Sequence, residues 1–198
     1  MKKKIGLLGG TFDPIHKGHL NLAKELKERH QLDEVWFIPA NVNPLKPGRM
    51  CESPEDRLAM IKLAIAPYKD FVVNNIELNR AAPSYTVDTL KELKEQIPDN
   101  DYYLLLGEDI TIAFEKWHRP DEIIKLAKIL IGTRPGIWAH SSENLALHQA
   151  IMDGMTTINE MNISATELRS RLDRQISCEG LIPDSVLNYI KEHKLYQK

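Results

Sequence analysis

Two histidines near the start of the chain, His16 and His19, have the spacing to act together on one anion. They follow Gly9 and Gly10, whose lack of a Cβ atom lets the backbone approach an anion closely. Side chains three residues apart at a helix start lie on one side of it, so both rings can reach the same phosphate. A bound phosphate would raise the pKa of either imidazole and favour its charged form. We therefore expect a phosphate site at residues 9–19.

A second cluster of anion-binding side chains lies at residues 163–169, Ile-Ser-Ala-Thr-Glu-Leu-Arg. Ser164 and Thr166 supply hydroxyl groups, and Arg169 supplies a guanidinium, on the first turns of a predicted helix. Ser164 and Glu167 also fit a capping box. Both interpretations can hold, because a cap leaves backbone N–H groups and Arg169 available for a second phosphate.

The elements around the glycine turn predict where it lies in the fold. Residues 4–8 form a short apolar run that is typical of a buried strand. Residues 20–27 carry apolar side chains at 20, 23 and 26, which predicts a helix that ends near residues 29–30. A turn from strand to helix belongs at the carboxyl edge of a parallel sheet, where open α/β folds bind ligands. The helix start adds free N–H groups and a positive end.

Strand and helix signals alternate along the rest of the chain. Further strands are predicted at residues 34–39, 71–75 (compatible with an extension over 76–78), 102–107, 128–132 and 155–158. Further helices are predicted from caps at Ser53, Ser84 and Ser164, after residue 119, over 141–152, and from about 182 to Leu195–Tyr196. This order predicts an α/β protein with a single doubly wound, Rossmann-like parallel sheet and helices on both faces. We assign residues 1–198 to one domain, in which a small C-terminal helical segment from about residue 160 carries the second phosphate motif.

Composition and charge exclude several classes of protein. The chain has 198 residues and a net charge of −2, whereas wholesale nucleic-acid binding needs a basic surface. The apolar run after the first lysines is too short for a signal peptide, and no run is long enough to span a membrane. Cys51 and Cys178 form no C-x-x-C motif, which indicates free thiols in a reducing cytoplasm. We expect a cytoplasmic protein that binds neither nucleic acid nor membrane.

The full motif at residues 9–19, G-G-T-F-D-P-I-H-K-G-H, is neither a P-loop nor a dinucleotide fingerprint. It resembles the H-x-G-H nucleotidyltransferases and, among them, is most similar to the bacterial nicotinate-mononucleotide adenylyltransferases. Residues 163–169 resemble the second pattern of that family, I-S-S-T-x-x-R, and differ from it by Ala165. The likeness covers nearly the whole chain.

The resemblance implies an enzyme of NAD biosynthesis that transfers the adenylyl group of ATP to nicotinate mononucleotide, with pyrophosphate as the second product. The phosphate of the mononucleotide is already an anionic nucleophile, so no general base is needed, and no catalytic triad is recognisable. Mg²⁺ would arrive on the ATP phosphates, because no cluster of acids and histidines suggests a metal site of the protein itself. ATP and the mononucleotide are the expected partners, a homodimer is allowed, and the oligomeric state stays open.

The resemblance also assigns residues to the site. It implies a catalytic role for His16, His19 and Arg169. For ATP it implies contacts from Gly9, Gly10, Thr11, Phe12, His16, His19, Gly107, Asp109, Ser164, Thr166 and Arg169. For the mononucleotide it implies contacts from Lys46, Tyr85, Thr86, Trp117, His118 and Arg134. The family carries a histidine in the loop after the second strand, where this chain has Leu45.

Chemistry alone leaves second roles open for several of these residues. Asp109 suits either the ribose hydroxyls or a cap on a short helix at 110–114. Lys46 and Arg134 suit phosphate contacts or a solvated surface, and Trp117 suits ring stacking or packing.

Two other functions share this fold. One is the same transfer to another acceptor, such as nicotinamide mononucleotide or phosphopantetheine, or a cytidylyl transfer. The other is a nucleotide-binding regulatory module without turnover, which degenerate phosphate residues would indicate. The intact histidines and Arg169 favour an enzyme, and residues 84–86, Ser-Tyr-Thr, favour a pyridine nucleotide. N–H donors around Thr86 predict a preference for the acid over the amide.

Overall fold

A single parallel sheet of six strands runs through the part of the chain that the computed structural model describes, residues 2–45, 48, 50–134, 136, 143–159 and 161–197, with only the backbone of Ile112. The strands are β1 (Lys4–Gly10), β2 (Glu34–Pro39), β3 (Phe71–Val73), β4 (Asp101–Gly107), β5 (Lys128–Thr133) and β6 (Met155–Thr157). Their order across the sheet is β3-β2-β1-β4-β5-β6, and every pair is parallel. The predicted doubly wound sheet is confirmed.

Helices cover both faces of the sheet. They are α1 (Lys17–His30), α2 (Pro54–Ile65), α3 (Thr86–Gln96), α4 (Glu108–Phe114), α5 (Pro120–Leu126), α6 (Leu145–Gly154), α7 (Ala165–Asp173) and α8 (Asp184–Glu192). One apolar core lies against α1, α2, α7 and α8, and a second lies against α3, α5 and α6. No helix in the described ranges is both long and apolar enough to cross a membrane.

Local sequence explains the first two helices. The predicted stripe of α1 is buried at Leu20, Ala23 and Leu26. Ser53 caps α2, because its side chain accepts a hydrogen bond from the backbone N–H of Asp56, and Pro54 occupies the first turn. Burial of one helical stripe supplies most of the stability of such short helices.

Several predicted boundaries were wrong. Strand β3 ends at Val73, because the side chain of Asn74 accepts a hydrogen bond from the N–H of Ile76 and turns the chain, so residues 76–78 do not extend it. Helix α6 begins at Leu145, after Asn144 caps it, while residues 141 and 142 lie outside the described part. Helix α8 ends at Glu192, before Leu195–Tyr196.

The strand order reverses between the neighbouring strands β1 and β4. Connections leave these two strands toward opposite faces of the sheet, so their carboxyl ends border an open crevice. Gly9 and Gly10 lie at the end of β1, and Gly107 lies at the end of β4. The topology therefore places two of the predicted site segments side by side.

Candidate active site

A cavity of about 970 Å³ opens along the carboxyl ends of β1 and β4. Its size is at the upper end of the range for small-molecule sites. Fifteen of the predicted site residues line it: Gly9, Gly10, Thr11, Phe12, His16, His19, Tyr85, Thr86, Gly107, Asp109, Trp117, His118, Arg134, Ser164 and Thr166. Arg169 does not line the cavity itself, and Lys46 lies outside the described residues.

The two histidines form a stacked pair at the start of α1. Their ring centroids are 3.6 Å apart, and the backbone N–H of His16 lies 3.3 Å from Nδ1 of His19. Because Nδ1 of His19 accepts this N–H, the neutral ring carries its proton on Nε2, which is thereby a donor. Nδ1 of His16 is buried and has no hydrogen-bond partner among the described residues.

Burial keeps both imidazoles neutral in the ligand-free protein. It lowers the pKa of His16 to about 4. It also lowers the pKa of His19 well below the ordinary value, and the adjacent ring of His16 lowers it further. A bound phosphate would act in the opposite direction, because it stabilises the charged form of a nearby imidazole.

Gly18 explains how the two phosphate motifs come together. A Cβ atom at this position would lie 3.0 Å from Nδ1 of His16 and 3.2 Å from the carbonyl oxygen of Met161. Glycine is therefore the residue that lets the His16 ring and the 161–164 segment pack against the first turn of α1. This contact brings the start of α7 to the start of α1.

Phe12 supports this pair from the protein core. Its ring is buried, and it meets the ring of His19 edge-on at a centroid distance of 5.0 Å and the ring of Phe37 at 5.8 Å. Its backbone adopts a positive φ of 50°. The Phe12 ring is thus a packing partner of His19, and its predicted contact with ATP stays a prediction.

Arg169 reaches back across the fold to the first motif. Its Nη1 donates to the carbonyl oxygen of Asp13 at 2.7 Å, and its Nη2 donates to the hydroxyl of Thr166 at 3.1 Å. The carboxylate of Asp13 lies 3.9 Å from the same Nη1. Arg169 therefore couples the glycine turn to α7.

The predicted capping box at α7 was wrong. Ser164 occupies the position before the helix, but its hydroxyl makes no cap hydrogen bond within the described residues, and the side chain lines the cavity instead. The Ser164 hydroxyl therefore accepts no hydrogen bond from the N–H groups in the first turn of α7. Such groups, together with Thr166 and Arg169, suit an anion.

Ser84 was also predicted as a cap and is not one. Its hydroxyl accepts a hydrogen bond from the backbone N–H of Asn41 at 2.9 Å, which joins the loop after β2 to the segment before α3. Tyr85 takes the position before α3 and makes no side-chain cap either. The start of α3 therefore presents backbone donors beside Thr86, which lines the cavity.

A polar cluster, defined by the buried Glu77 and Thr89 and the partly buried Arg80, holds this end of α3. The hydroxyl of Thr89 donates to Glu77 at 2.7 Å, and Arg80 donates to the same hydroxyl at 2.8 Å and to the carbonyl oxygen of Tyr85 at 3.4 Å. Burial raises the pKa of Glu77. Sequence reasoning missed these residues, since each is an ordinary polar residue of a loop or helix.

Aromatic rings form one wall of the cavity. The rings of Tyr85 and His118 lie 4.4 Å apart, and Trp117 packs against Phe114 at 5.0 Å. Nε1 of Trp117 is buried with no hydrogen-bond partner among the described residues. Flat apolar rings of this kind suit a heteroaromatic ligand.

The end of β4 presents two carboxylates with different partners. A Cβ atom at Gly107 would lie 2.8 Å from Oδ1 of Asp109, so a side chain here would displace this carboxylate from its position at the end of the strand. Glu108 instead accepts a hydrogen bond from the backbone N–H of Arg134 at 3.0 Å, and its carboxylate lies 3.9 Å from the Arg134 side chain. Arg134 is thus held at the cavity rim by Glu108.

Arg57 is a positioning residue that sequence reasoning missed. It is buried, and its Nη1 donates to the carbonyl oxygens of Thr11 and Ala40 at 2.8 and 2.9 Å. One guanidinium therefore ties the turn after β1 to the loop after β2. The signal was present, because this arginine lies on the apolar side of α2 that Met60 and Ile61 bury.

The described start of the loop after β2 lines the cavity with Asn43, Pro44 and Leu45. Leu45, at the position where the resemblance predicts a histidine, is partly exposed. No group of three or more histidine, cysteine, aspartate or glutamate side chains in the described ranges could hold a metal ion.

Comparisons with known proteins agree with this geometry. Residues 7–171 match the cytidylyltransferase-like family. A probable nicotinate-nucleotide adenylyltransferase of Oceanobacillus iheyensis is 39% identical over 194 residues, which are 98% of this chain and 97% of the relative. One of Dehalococcoides mccartyi is 41% identical over 199 residues, with the same coverage.

Solved structures show the same fold. The nicotinic acid mononucleotide adenylyltransferase of Plasmodium falciparum, complexed with NaAD, superposes with a TM-score of 0.79 at 20% identity. The alignment covers 98% of this chain and 97% of that one. A second structure of that protein, complexed with APC, gives a TM-score of 0.77.

Proposed function

This chain belongs to the cytidylyltransferase-like family, and we propose that it transfers the adenylyl group of ATP to nicotinate mononucleotide. The products are the deamido dinucleotide and pyrophosphate. The contact between the two phosphate motifs supports this reaction most directly. Arg169 donates a hydrogen bond to the backbone carbonyl of Asp13, which lies just after β1 and 156 residues away in sequence.

The reaction needs no proton acceptor from the protein. A phosphate oxygen of the mononucleotide forms a bond to the α-phosphorus of ATP, while the bond from that phosphorus to the bridging oxygen of the β-phosphate breaks. Pyrophosphate leaves with the electron pair. Catalysis then consists of alignment and of neutralising charge on the phosphates as it redistributes.

Groups of this site suit both tasks. The N–H groups at the start of α1 and Nε2 of His19 donate toward one phosphate group. The start of α7, with Thr166 and Arg169, offers a second set of donors. We propose that Mg²⁺ enters bound to the ATP phosphates and adds positive charge there.

Proton uptake accompanies nucleotide binding in this proposal. Both histidines are neutral in the free protein, and a bound phosphate raises their pKa values. ATP should therefore bind more tightly as the pH falls toward 6, because a charged imidazole is stabilised only in the complex.

We place the nicotinate ring beside Trp117 and its carboxylate at the start of α3. The polar cluster of Glu77, Arg80 and Thr89 fixes that turn, so its N–H donors are held in place. A site made of donors favours a carboxylate over an amide, whose NH₂ group would meet other donors. Cys178 is a buried free thiol, which fits our proposal that the enzyme works in the cytoplasm.

Incubation of the purified protein with ATP and each candidate acceptor, followed by chromatography, tests this function. We expect a dinucleotide and pyrophosphate with nicotinate mononucleotide, and far less product with nicotinamide mononucleotide or phosphopantetheine. Equal or faster reaction with phosphopantetheine would assign another acceptor. ATP binding without any product would identify a regulatory module.

A further inference from the structure

The guanidinium of Arg57 lies where strands β1 and β2 end. Its Nη1 donates to the carbonyl oxygens of Thr11 and Ala40, at 2.8 and 2.9 Å, and these two residues directly follow the two strands. Its Nε donates to the carbonyl oxygen of Glu52 at 3.2 Å. Arg57 is only 2% exposed. A buried guanidinium needs acceptors in place of water, and here backbone oxygens supply them.

The two bonds from Nη1 fix the direction of two peptide units. A carbonyl and the N–H that follows it belong to one rigid plane, and in a trans peptide they point in opposite directions. The Thr11 carbonyl therefore sets the direction of the Phe12 N–H, and the Ala40 carbonyl sets that of the Asn41 N–H. Thr11, Phe12 and Ala40 line the cavity. Arg57 thus determines how two loops present their backbone to the cavity.

The Asn41 N–H continues this connection toward the start of α3, where we place the acceptor nucleotide. It donates to the hydroxyl of Ser84 at 2.9 Å. Burial raises the pKa of Glu77, while hydrogen bonds from the hydroxyls of Thr89 and Ser84 act in the opposite direction. A continuous path of polar contacts therefore runs from Arg57 to the polar cluster beside α3.

We propose that Arg57 is a positioning residue for adenylyl transfer, which holds the turn after β1 and the acceptor site at α3 in a fixed relative orientation. It does not line the cavity itself, so it acts through the two peptide units and not by contact with a substrate. This inference rests on the proposed function, in which the attacking phosphate oxygen must lie in line with the bond that breaks. A misplacement of about 1 Å between reacting groups can cost about 10²-fold in rate.

The charge of Arg57 must be separated from its geometry. Burial lowers the pKa of Arg57, and Cys51 and Asp13 are among the groups that act in the opposite direction. A neutral substitute would remove a cation near the buried Asp13 as well as the donor to both carbonyls. Arg57→Lys keeps a positive charge, but its ammonium lies one bond short of Nη1 and lacks the planar geometry. Lysine is therefore the informative substitution.

Arg171 of α7 offers a matched control. Its Nε and Nη2 donate to the carbonyl oxygen of Ser177 at 3.1 and 2.6 Å, and it does not line the cavity. Arg171→Lys therefore changes a comparable contact between a guanidinium and a carbonyl, away from the loops after β1 and β2.

Steady-state kinetics on the wild type and both variants test the proposal. Arg57→Lys should lower kcat roughly 10- to 100-fold and change KM for either substrate by less than about threefold, because alignment is lost and binding is kept. Arg171→Lys should match the wild type. An unchanged kcat in Arg57→Lys, a loss confined to KM, or an equal loss in Arg171→Lys would overturn the proposal.

A double-mutant cycle with Ser84→Ala tests the path itself. Ser84→Ala alone should lower kcat severalfold, because the Asn41 N–H loses its acceptor. In the Arg57→Lys background it should cost less than about twofold, since the same peptide is already free to turn. With Arg171→Lys the effect of Ser84→Ala should be additive. Additive losses for Arg57→Lys and Ser84→Ala would show that the two residues act independently, and would overturn the path.

Amide hydrogen exchange provides a readout that needs no turnover. The Asn41 N–H should exchange roughly tenfold faster in Arg57→Lys, while the Asp101 N–H, bonded to the Lys3 carbonyl at the other end of the sheet, should be unchanged. No change at Asn41, or an equal rise at both amides, would overturn the proposal. A wild type that forms no dinucleotide would refute the proposed function, while the exchange rates would still decide whether Arg57 orients this peptide.

Discussion

His16 and His19 lie face to face at the start of α1, with ring planes 22° apart and centroids 3.6 Å apart. Two cationic rings at this distance would repel each other, and burial already disfavours charge on either. The pair is therefore neutral until an anion arrives, and this state determines how the site should respond to mutation and pH.

His19→Ala should lower turnover by a factor of about 10² to 10³, because the variant loses a preorganised donor to charge on the phosphates. The fold should persist, since Phe12, Leu20 and Leu26 remain packed in the core. Steady-state kinetics and circular dichroism check both statements. His148→Ala, in α6 and outside the cavity, is the control, and near-normal turnover of His19→Ala would remove His19 from the phosphate site.

The stability of the ligand-free protein should fall as the pH drops from about 6.5 to about 4, in part through His16. Its pKa is about 4 in the folded protein and 6.5 when unperturbed, so the unfolded chain binds a proton in this interval that the folded protein does not. Stability therefore rises with pH across the interval, by about 3 kcal/mol from this group. His16→Gln should reduce that rise in urea unfolding curves, and parallel pH profiles for variant and wild type would contradict the assignment.

Arg169→Lys should lose almost as much activity as Arg169→Ala. The guanidinium contacts the Asp13 carbonyl and Thr166 with separate nitrogens, and an ammonium cannot reproduce this planar arrangement. Measured kcat/KM for both substrates tests the expectation. Arg171→Lys, on the same helix with its guanidinium on the carbonyl of Ser177, should keep full activity. Full activity of Arg169→Lys would show that only a diffuse positive charge is needed.

Trp117→Ala should weaken the affinity for nicotinate mononucleotide roughly tenfold and leave the affinity for ATP nearly unchanged, because the loss is ring stacking. The indole lines the cavity beside Phe114, far from the histidine pair in sequence. Fluorescence titration with each nucleotide separately measures both affinities. An equal loss of affinity for ATP would show that Trp117 supports the structure of the whole cavity and does not specifically stack on the mononucleotide ring.

Selectivity depends on the start of α3 in our proposal. Thr86→Ala should narrow the ratio of kcat/KM values for acid and amide mononucleotides more than it lowers the rate with the amide. Thr89→Val, which disturbs the polar cluster next to the start of α3, should also reduce the ratio of acid to amide kcat/KM, since Thr89 links Glu77 and Arg80. If the wild type uses acid and amide equally, a pocket of donors is the wrong description.

Local sequence was sufficient for most of the sheet. Strand β2 was predicted with its observed bounds, and the buried stripe of α1 was predicted residue by residue. Apolar runs and helical stripes reflect local preferences for strand or helix and the burial of one face of each element. A few neighbouring residues are enough to encode both. The turn from β1 into a helix could be placed at the carboxyl edge of the sheet from its sequence, whereas Gly107 at the end of β4 was assigned to the same site through the family resemblance.

Cap assignments show where local chemistry fails. Ser53, Ser84 and Ser164 have similar sequence signals, yet only Ser53 caps its helix. Ser84 bonds to Asn41 on another loop, and Ser164 lines the cavity. The hydrogen-bond partner of a serine hydroxyl depends on which groups the fold places near it. The few residues around the serine in sequence do not determine those groups.

The sequence by itself determined the strand order along the chain, the phosphate motifs and the family resemblance. Only the tertiary structure decided which side chains hold those motifs: Arg57 on two carbonyls, Tyr196 on Asp13, and Gly18 between His16 and Met161. These pairs are far apart in sequence, and each depends on how helices pack on the sheet. Motifs consist of consecutive residues and can be recognised in the chain, whereas the contacts that orient them form only when distant elements are brought together by burial of the two cores.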